Sequence, residues 1–173
     1  SPLGVGLLSR GEYFDMEVNS VIPSNQAVKA FNDVMVEGVE VLSYRLLPDD
    51  AKNGMSIIAA ADYMVHFDDN YISQDDIDSF IAQDEINVIK KTKKSEKEVD
   101  IKPLILDIKS MGNDIFMKVI AGSAENLKPE LVIENLFKFV SKDMPSYVSE
   151  RLEMYANADG SYISLEDLGN DVI

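Results

Sequence analysis

The apolar residues between positions 61 and 165 change spacing in a set order, and that order leaves few folds open. Residues 61–67 form a short apolar run with strand character. Ser73-Gln74-Asp75-Asp76 has the form of a capping box with Asp in place of Glu, and Ile77, Phe80 and Ile81 make a helical stripe behind it. Residues 86–89 start a second strand that runs into a lysine-rich stretch, and residues 102–109 resume it, with Leu104, Leu106 and Ile108 alternating. Gly112-Asn113 is a tight-turn signal, so residues 115–120 pair back as a hairpin. Pro129 suits a first helical position, and Ile133, Leu136, Phe137 and Val140 give the buried face. Residues 151–155, the turn Asp159-Gly160 and residues 162–165 close with a last hairpin. This β-α-β-β-α-β order is the split βαβ, or ferredoxin-like, pattern of an α+β protein.

A shorter β-α-β cycle precedes it. Phe14, Met16 and Val18 alternate along residues 13–18, as on a half-buried strand. Pro23-Ser24 opens a helix in which Ser24 can cap free amides and Val28, Phe31 and Met35 recur at helical spacing. Glu37-Gly38 ends it, and residues 39–47 read as a strand. The polar, turn-rich stretch 48–54 is the best domain boundary. The expected architecture is two ferredoxin-like units. Residues 1–50 form the later part of the first, without its opening strand and helix, and residues 51–173 form the second with its C-terminal hairpin.

Composition narrows the chemistry. There is no Cys among 173 residues, which removes thiol nucleophiles, zinc–thiolate sites and iron–sulfur clusters and favours a reducing, cytoplasmic compartment. One His is too few for a histidine-built metal centre within a single chain, and no cofactor is expected. No apolar run approaches the roughly 20 residues of a membrane helix, and the start has no secretory pattern. The first residue is not Met, which suggests a processed, tagged or truncated chain.

Net charge is −15, which repels nucleic acid over most of the surface. It is unevenly spread. Residues 90–102 hold six lysines against three carboxylates, about +3, which leaves −18 on the remainder. Lys90, Lys91, Lys93, Lys94, Lys97 and Lys102 therefore form the candidate phosphate or nucleic-acid site, on a hairpin projecting from a sheet. A charged loop that keeps a sheet edge soluble is the competing reading. No aromatic residue interleaves these lysines, so base stacking is not expected there.

Other constellations read more simply as structure. Asn157, Asp159, Gly160 and Glu166 fit part of a calcium-loop spacing, but Tyr155 occupies its first position, and an Asp-Gly hairpin turn is the simpler reading. Asp68, Asp69, Asp75, Asp76 and Asp78 suit a solvated helix start better than a Mg²⁺ site. Gly4-Val5-Gly6-Leu7-Leu8-Ser9 lacks the third glycine and the preceding strand of a dinucleotide loop. His66 has no nucleophile elbow to serve and reads as structural.

Several segments together resemble the radical-SAM-linked protein family, a bacterial domain of unknown function. They are residues 9–15 (Ser-Arg-Gly-Glu-Tyr-Phe-Asp), 36–42, 55–63, Lys91-Thr92-Lys93-Lys94 with 99–103, 127–130 and 151–155 leading to Asp159-Gly160. The resemblance implies a non-catalytic accessory or substrate-binding partner of a radical S-adenosylmethionine enzyme, in an RNA-related setting. It also implies an upstream segment of the family that this sequence does not contain, and that segment would supply the opening strand and helix of the first unit. Lys102 stands where the family often has Arg, which keeps the charge but not the bidentate fork. The alternative is a structural or protein-interaction module that forms a homodimer through an exposed sheet edge, with no nucleic-acid role.

Overall fold

The computed structural model describes residues 3–69, 72–91 and 96–173, with the side chains of Lys90 and Lys91 left aside. The protein is α+β. The first fifty residues contribute a two-residue strand, β1 (Leu8–Ser9), and one helix, α1 (Ser24–Asn32). A single turn, α2 (Gly54–Ile57), capped by the Asn53 side chain, leads into β2 (Ile58–Phe67). Then follow α3 (Gln74–Ile81), β3 (Asn87–Lys91), β4 (Glu96–Asp100), β5 (Ile105–Met111) and β6 (Asp114–Ile120). α4 (Pro129–Phe139), β7 (Tyr147–Ala158) and β8 (Ser161–Ser164) complete the order.

The main sheet runs β1-β7-β2-β6-β5, with β8 also paired to β7. β2 lies antiparallel between β6 and β7, and β5 pairs antiparallel with β6. Taking β2, β5, β6 and β7 as strands one to four gives the order 4-1-3-2 with α3 and α4 as crossovers, the split βαβ arrangement that the spacing predicts. Both helices cover one face. Ile77 and Phe80 of α3 and Ile133, Leu136 and Phe137 of α4 join Tyr63, Val65, Ile115, Met117 and Val119 in a single core. Alternation along the strands turns Asp62, Met64 and His66 of β2 and Asp114, Phe116 and Lys118 of β6 to the other face.

Local signals act as the sequence suggests for much of this unit. Ser73 Oγ accepts from the Asp76 amide at 3.2 Å, and the Asp76 carboxylate accepts from the Ser73 amide at 3.0 Å, a complete capping box. Pro129 starts α4. Met111 pairs with Asp114 across the two-residue turn, with Gly112 at φ +73.

Other local expectations are corrected. β3 does not enter the main sheet. It pairs only with β4 in a separate two-stranded sheet, inserted between α3 and β5. The Asp100 carboxylate closes the base of this insert by accepting from the Ile86 and Lys102 amides, and Ile101 N donates to Ile86 O. A 3₁₀ turn at Lys102–Leu104 with Pro103 then separates it from β5. A register shift between Ile105 and Asp107 turns Leu106 outward, so Leu104 and Ile108 are buried and Leu106 is exposed.

The first cycle lacks its two expected strands. Residues 13–18 form no ladder, and Phe14, Met16 and Val18 are exposed. Of residues 39–47 only Leu46 makes an isolated bridge, to Asn170. A strand needs an edge to pair with, and on the side of the sheet where β1 attaches the outer edge of β7 is already taken by β1 and β8. The backbone of Val41 is held by the Asn32 carboxamide and the amide of Gly54 by the Asp15 carboxylate instead. Helix α1 stops at Asn32, before Met35. Ser24 is its first residue, not its cap, and its hydroxyl accepts from the Val172 amide. Among the described residues no helix is long and apolar enough to cross a membrane.

Candidate functional site

Two places carry the charged chemistry: the β3–β4 hairpin and the face of the main sheet opposite α3 and α4.

The hairpin register places Lys90 opposite Lys97 and Lys91 opposite Glu96. Like charges opposite one another weaken an antiparallel pair unless an anion sits beside them. Val88 and Ile101 are buried and root the hairpin in the core. Lys97 is exposed on β4. Lys102 is drawn out of the cluster, because its ammonium donates to the Gln83 carbonyl at 2.5 Å. Lys93 and Lys94 lie outside the described residues, as do the side chains of Lys90 and Lys91.

The charged sheet face is assembled by register. β6, β2 and β7 lie side by side, which brings Asp114, His66 and Glu150 together. His66 Nδ1 lies 2.9 Å from Asp114 Oδ2, and Nε2 lies 3.1 Å from Glu150 Oε2. Arg10 Nε donates to the other oxygen of Glu150 at 2.6 Å, which ties the segment after β1 to the sheet. Burial would raise the Glu150 pKa, but the hydrogen bonds from His66 and Arg10 outweigh it, so the carboxyl sits below its ordinary range.

An ionised carboxylate only accepts hydrogen bonds, and a neutral imidazole carries one N–H. Both contacts of His66 are satisfied together only by the imidazolium. Partial burial opposes that charge, yet the bonds to Glu150 and Asp114 prevail and raise the His66 pKa. The ring's contribution to stability is therefore complete below the unfolded-state value of 6.5 and is lost as pH rises through the higher folded-state value. An NMR titration of the His66 ring should give a midpoint above 6.5. A midpoint at or below it contradicts the two-carboxylate geometry.

Beside this lies a second cluster. Tyr155 OH donates to Asp62 Oδ2 at 2.7 Å, and the Lys118 ammonium is 3.4 Å from Asp62 Oδ1 and 3.7 Å from the centre of the Tyr155 ring. Tyr13 OH donates to Glu153 at 2.6 Å. Burial and the neighbouring carboxylates push both phenols well above the ordinary tyrosine range, so they act as donors and not as bases. The sequence reading missed this network. Its bonded members lie up to 140 positions apart, and they meet through the register of β2, β6 and β7 and through the segment after β1 that carries Tyr13.

The remaining candidates are engaged structurally. Asp76 serves the capping box and a 3.0 Å ion pair with Lys142, and Asp78 accepts from Gln74. Asn157 accepts from the Gly160 amide in a turn with Asp159 at φ +51 and Gly160 at φ +88, while Glu166 binds Arg45 at 2.8 Å. Among the described residues no group of three His, Asp or Glu side chains is arranged to hold a metal ion.

Residues 1–129 match the model of a protein family described as "Uncharacterized protein conserved in bacteria (DUF2344)", a span that takes in β1 to β6 and the lysine hairpin. No curated protein and no solved structure matches the chain. With most of its length inside that model, the chain belongs to this bacterial family.

Proposed function

We propose that the chain is a binding subunit without a reaction of its own, which presents a phosphate-bearing substrate, RNA in the first instance, to a radical S-adenosylmethionine enzyme in the cytoplasm. The partner rests on the family resemblance of the motifs above. The observation that carries the binding role is the separate β3–β4 hairpin. Five residue pairs form a ladder of their own, anchored at one end by Asp100 and Val88 and carrying Lys90 opposite Lys97. A ladder of that length extends roughly 17 Å. It belongs to a segment of charge +3 on a chain of −15, so a polyanion is drawn to one element and repelled by the rest. Without cysteine the chain has no ligands for an iron–sulfur cluster, so radical chemistry would belong to the partner.

The test is fluorescence anisotropy of a labelled single-stranded RNA with the intact chain and with Lys91→Gln/Lys93→Gln/Lys94→Gln. Each lost phosphate contact costs up to about tenfold at low salt, so the triple variant should bind about 100-fold more weakly at about 50 mM salt. Equal binding by the two proteins removes the hairpin from this role.

A second reading, a protein-interaction module, draws on a different observation. Ala27 is the one buried apolar residue among the described residues up to position 50, while Phe14, Val34, Val36, Val39 and Leu42 are all more than half exposed. The accessible surface of 11225 Å² exceeds the roughly 8,500 Å² of a compact monomer of 19.3 kDa.

A further inference from the structure

We infer that the hollow between the root of the β3–β4 hairpin and the C-terminal end of α4 receives an unpaired nucleobase of the RNA strand that the hairpin holds. The inference rests on the RNA reading above and adds a base contact to it. The hollow has a volume of about 260 Å³. Its aromatic wall comes from α4. Phe139 is 42% exposed, and the buried ring of Phe80 meets it edge-on, with ring centres 5.7 Å apart and planes at 61°. The edge contact holds the Phe139 ring in place while much of its surface stays open to solvent. An open aromatic face is what an unpaired base stacks on. The lysine segment has no aromatic residue of its own, so a different element supplies the stack.

Three carboxamides line the same hollow, those of Gln83, Asn87 and Asn135. Each nitrogen donates to a group that can only accept: Gln83 to Phe80 O at 2.8 Å, Asn87 to the Glu85 carboxylate at 2.9 Å and Asn135 to Leu131 O at 2.7 Å. That fixes which end of each carboxamide is oxygen, and none of the three oxygens accepts a bond from the described residues. Each group therefore keeps an acceptor and a second N–H, the pair that meets the polar edge of a base. Register leads from the hollow to positive charge. Ile86 lines it, and alternation puts Ile86 on one hairpin face with Val88. Val88 pairs with Val99, which puts Lys97 on that face as well, while Glu96 and Glu98 fall on the other. Lys97 is exposed, roughly 13 Å up the strand from Ile101, whose amide donates to Ile86 O. Lys138 stands exposed at the hollow itself. Phosphates are drawn to Lys97 and Lys138 and repelled by Glu85, which turns the base inward and keeps the backbone outside.

The test compares a labelled ten-nucleotide single-stranded RNA with an abasic strand of the same length, which keeps the phosphates and lacks the bases. The intact chain should bind the RNA roughly tenfold more tightly than the abasic strand. Phe139→Leu keeps an apolar side chain against Phe80 and removes the ring. It should weaken RNA binding roughly tenfold, to the level of the abasic strand, with the circular dichroism and the salt dependence unchanged, because stacking releases no counterions. Phe139→Tyr should bind as the intact chain does. In amide spectra of the isotope-labelled chain, the side-chain signals of Gln83, Asn87 and Asn135 should shift with RNA and stay still with the abasic strand. Equal, salt-dependent binding of the two strands, or full RNA affinity in Phe139→Leu, would overturn this inference and leave the hairpin reading standing. Base-dependent binding that survives in Lys91→Gln/Lys93→Gln/Lys94→Gln would support the hollow and remove the hairpin. Absence of any RNA binding would overturn both.

Discussion

Replacing Phe137 by alanine should lower the unfolding free energy by about 3–5 kcal/mol, the range for removing a buried aromatic ring. Phe137 is 2% exposed on α4. Its ring centre lies 5.6 Å from that of Phe67 at the end of β2, and Phe67 in turn lies 5.7 Å from Tyr147 at the start of β7. One ring thus ties the second crossover helix to the first and last strands of the split βαβ unit. A domain has about 5–15 kcal/mol in total, so the loss is a large share of it. Urea denaturation checks it: the midpoint should fall with the slope unchanged. A loss below about 1 kcal/mol would mean that α4 does not seal the sheet in this way.

Gly11→Ala should cost about 1–3 kcal/mol, the range for forcing an atom into filled space. A Cβ on Gly11 would sit 2.7 Å from Glu153 Cα and 2.7 Å from Leu152 O, both backbone atoms of β7. Neither can rotate aside, so residues 8–13 must lift. With them go the β1–β7 pairing, the Arg10 N to Arg151 O bond at 2.8 Å, the Arg10–Glu150 ion pair and the Tyr13–Glu153 bond. The predicted sign of this lifting is faster hydrogen exchange at the Arg10 amide, with the β2 and β6 amides unchanged. Protection retained at Arg10 in the variant would show that the close approach is not required.

The legible parts of this chain are those whose cause is local. The Ser73 capping box, Pro129 at the start of α4 and the Gly112-Asn113 turn each depend on residues within a few positions, and each stands where the spacing puts it. The order of elements then selects the α+β class. The misread parts depend on distant partners. Residues 13–18 and 39–47 alternate like strands, but they form no ladder with any strand edge. Ser24 has the chemistry of a cap, yet its hydroxyl meets the Val172 amide, 148 positions away. The lysine segment was legible as a hairpin, but its separation from the main sheet depends on the Asp100 carboxylate and Pro103 acting together.

His66 shows the same limit at the candidate site. A lone imidazole in an apolar strand reads as structural, and nothing nearby in the sequence marks Asp114 and Glu150 as its partners. The register of three strands does so. Each nitrogen of its ring meets a carboxylate, and in the neighbouring cluster the Tyr155 phenol donates to Asp62 and stays protonated at neutral pH.

The most direct measurement is the salt dependence of RNA binding by the unmodified chain. If the hairpin lysines meet about four phosphates, the logarithm of the affinity should fall against the logarithm of salt concentration with a slope near −3, and the triple lysine variant should fall with a slope near −1. Identical slopes for the two proteins, or an affinity indifferent to salt, would contradict the account.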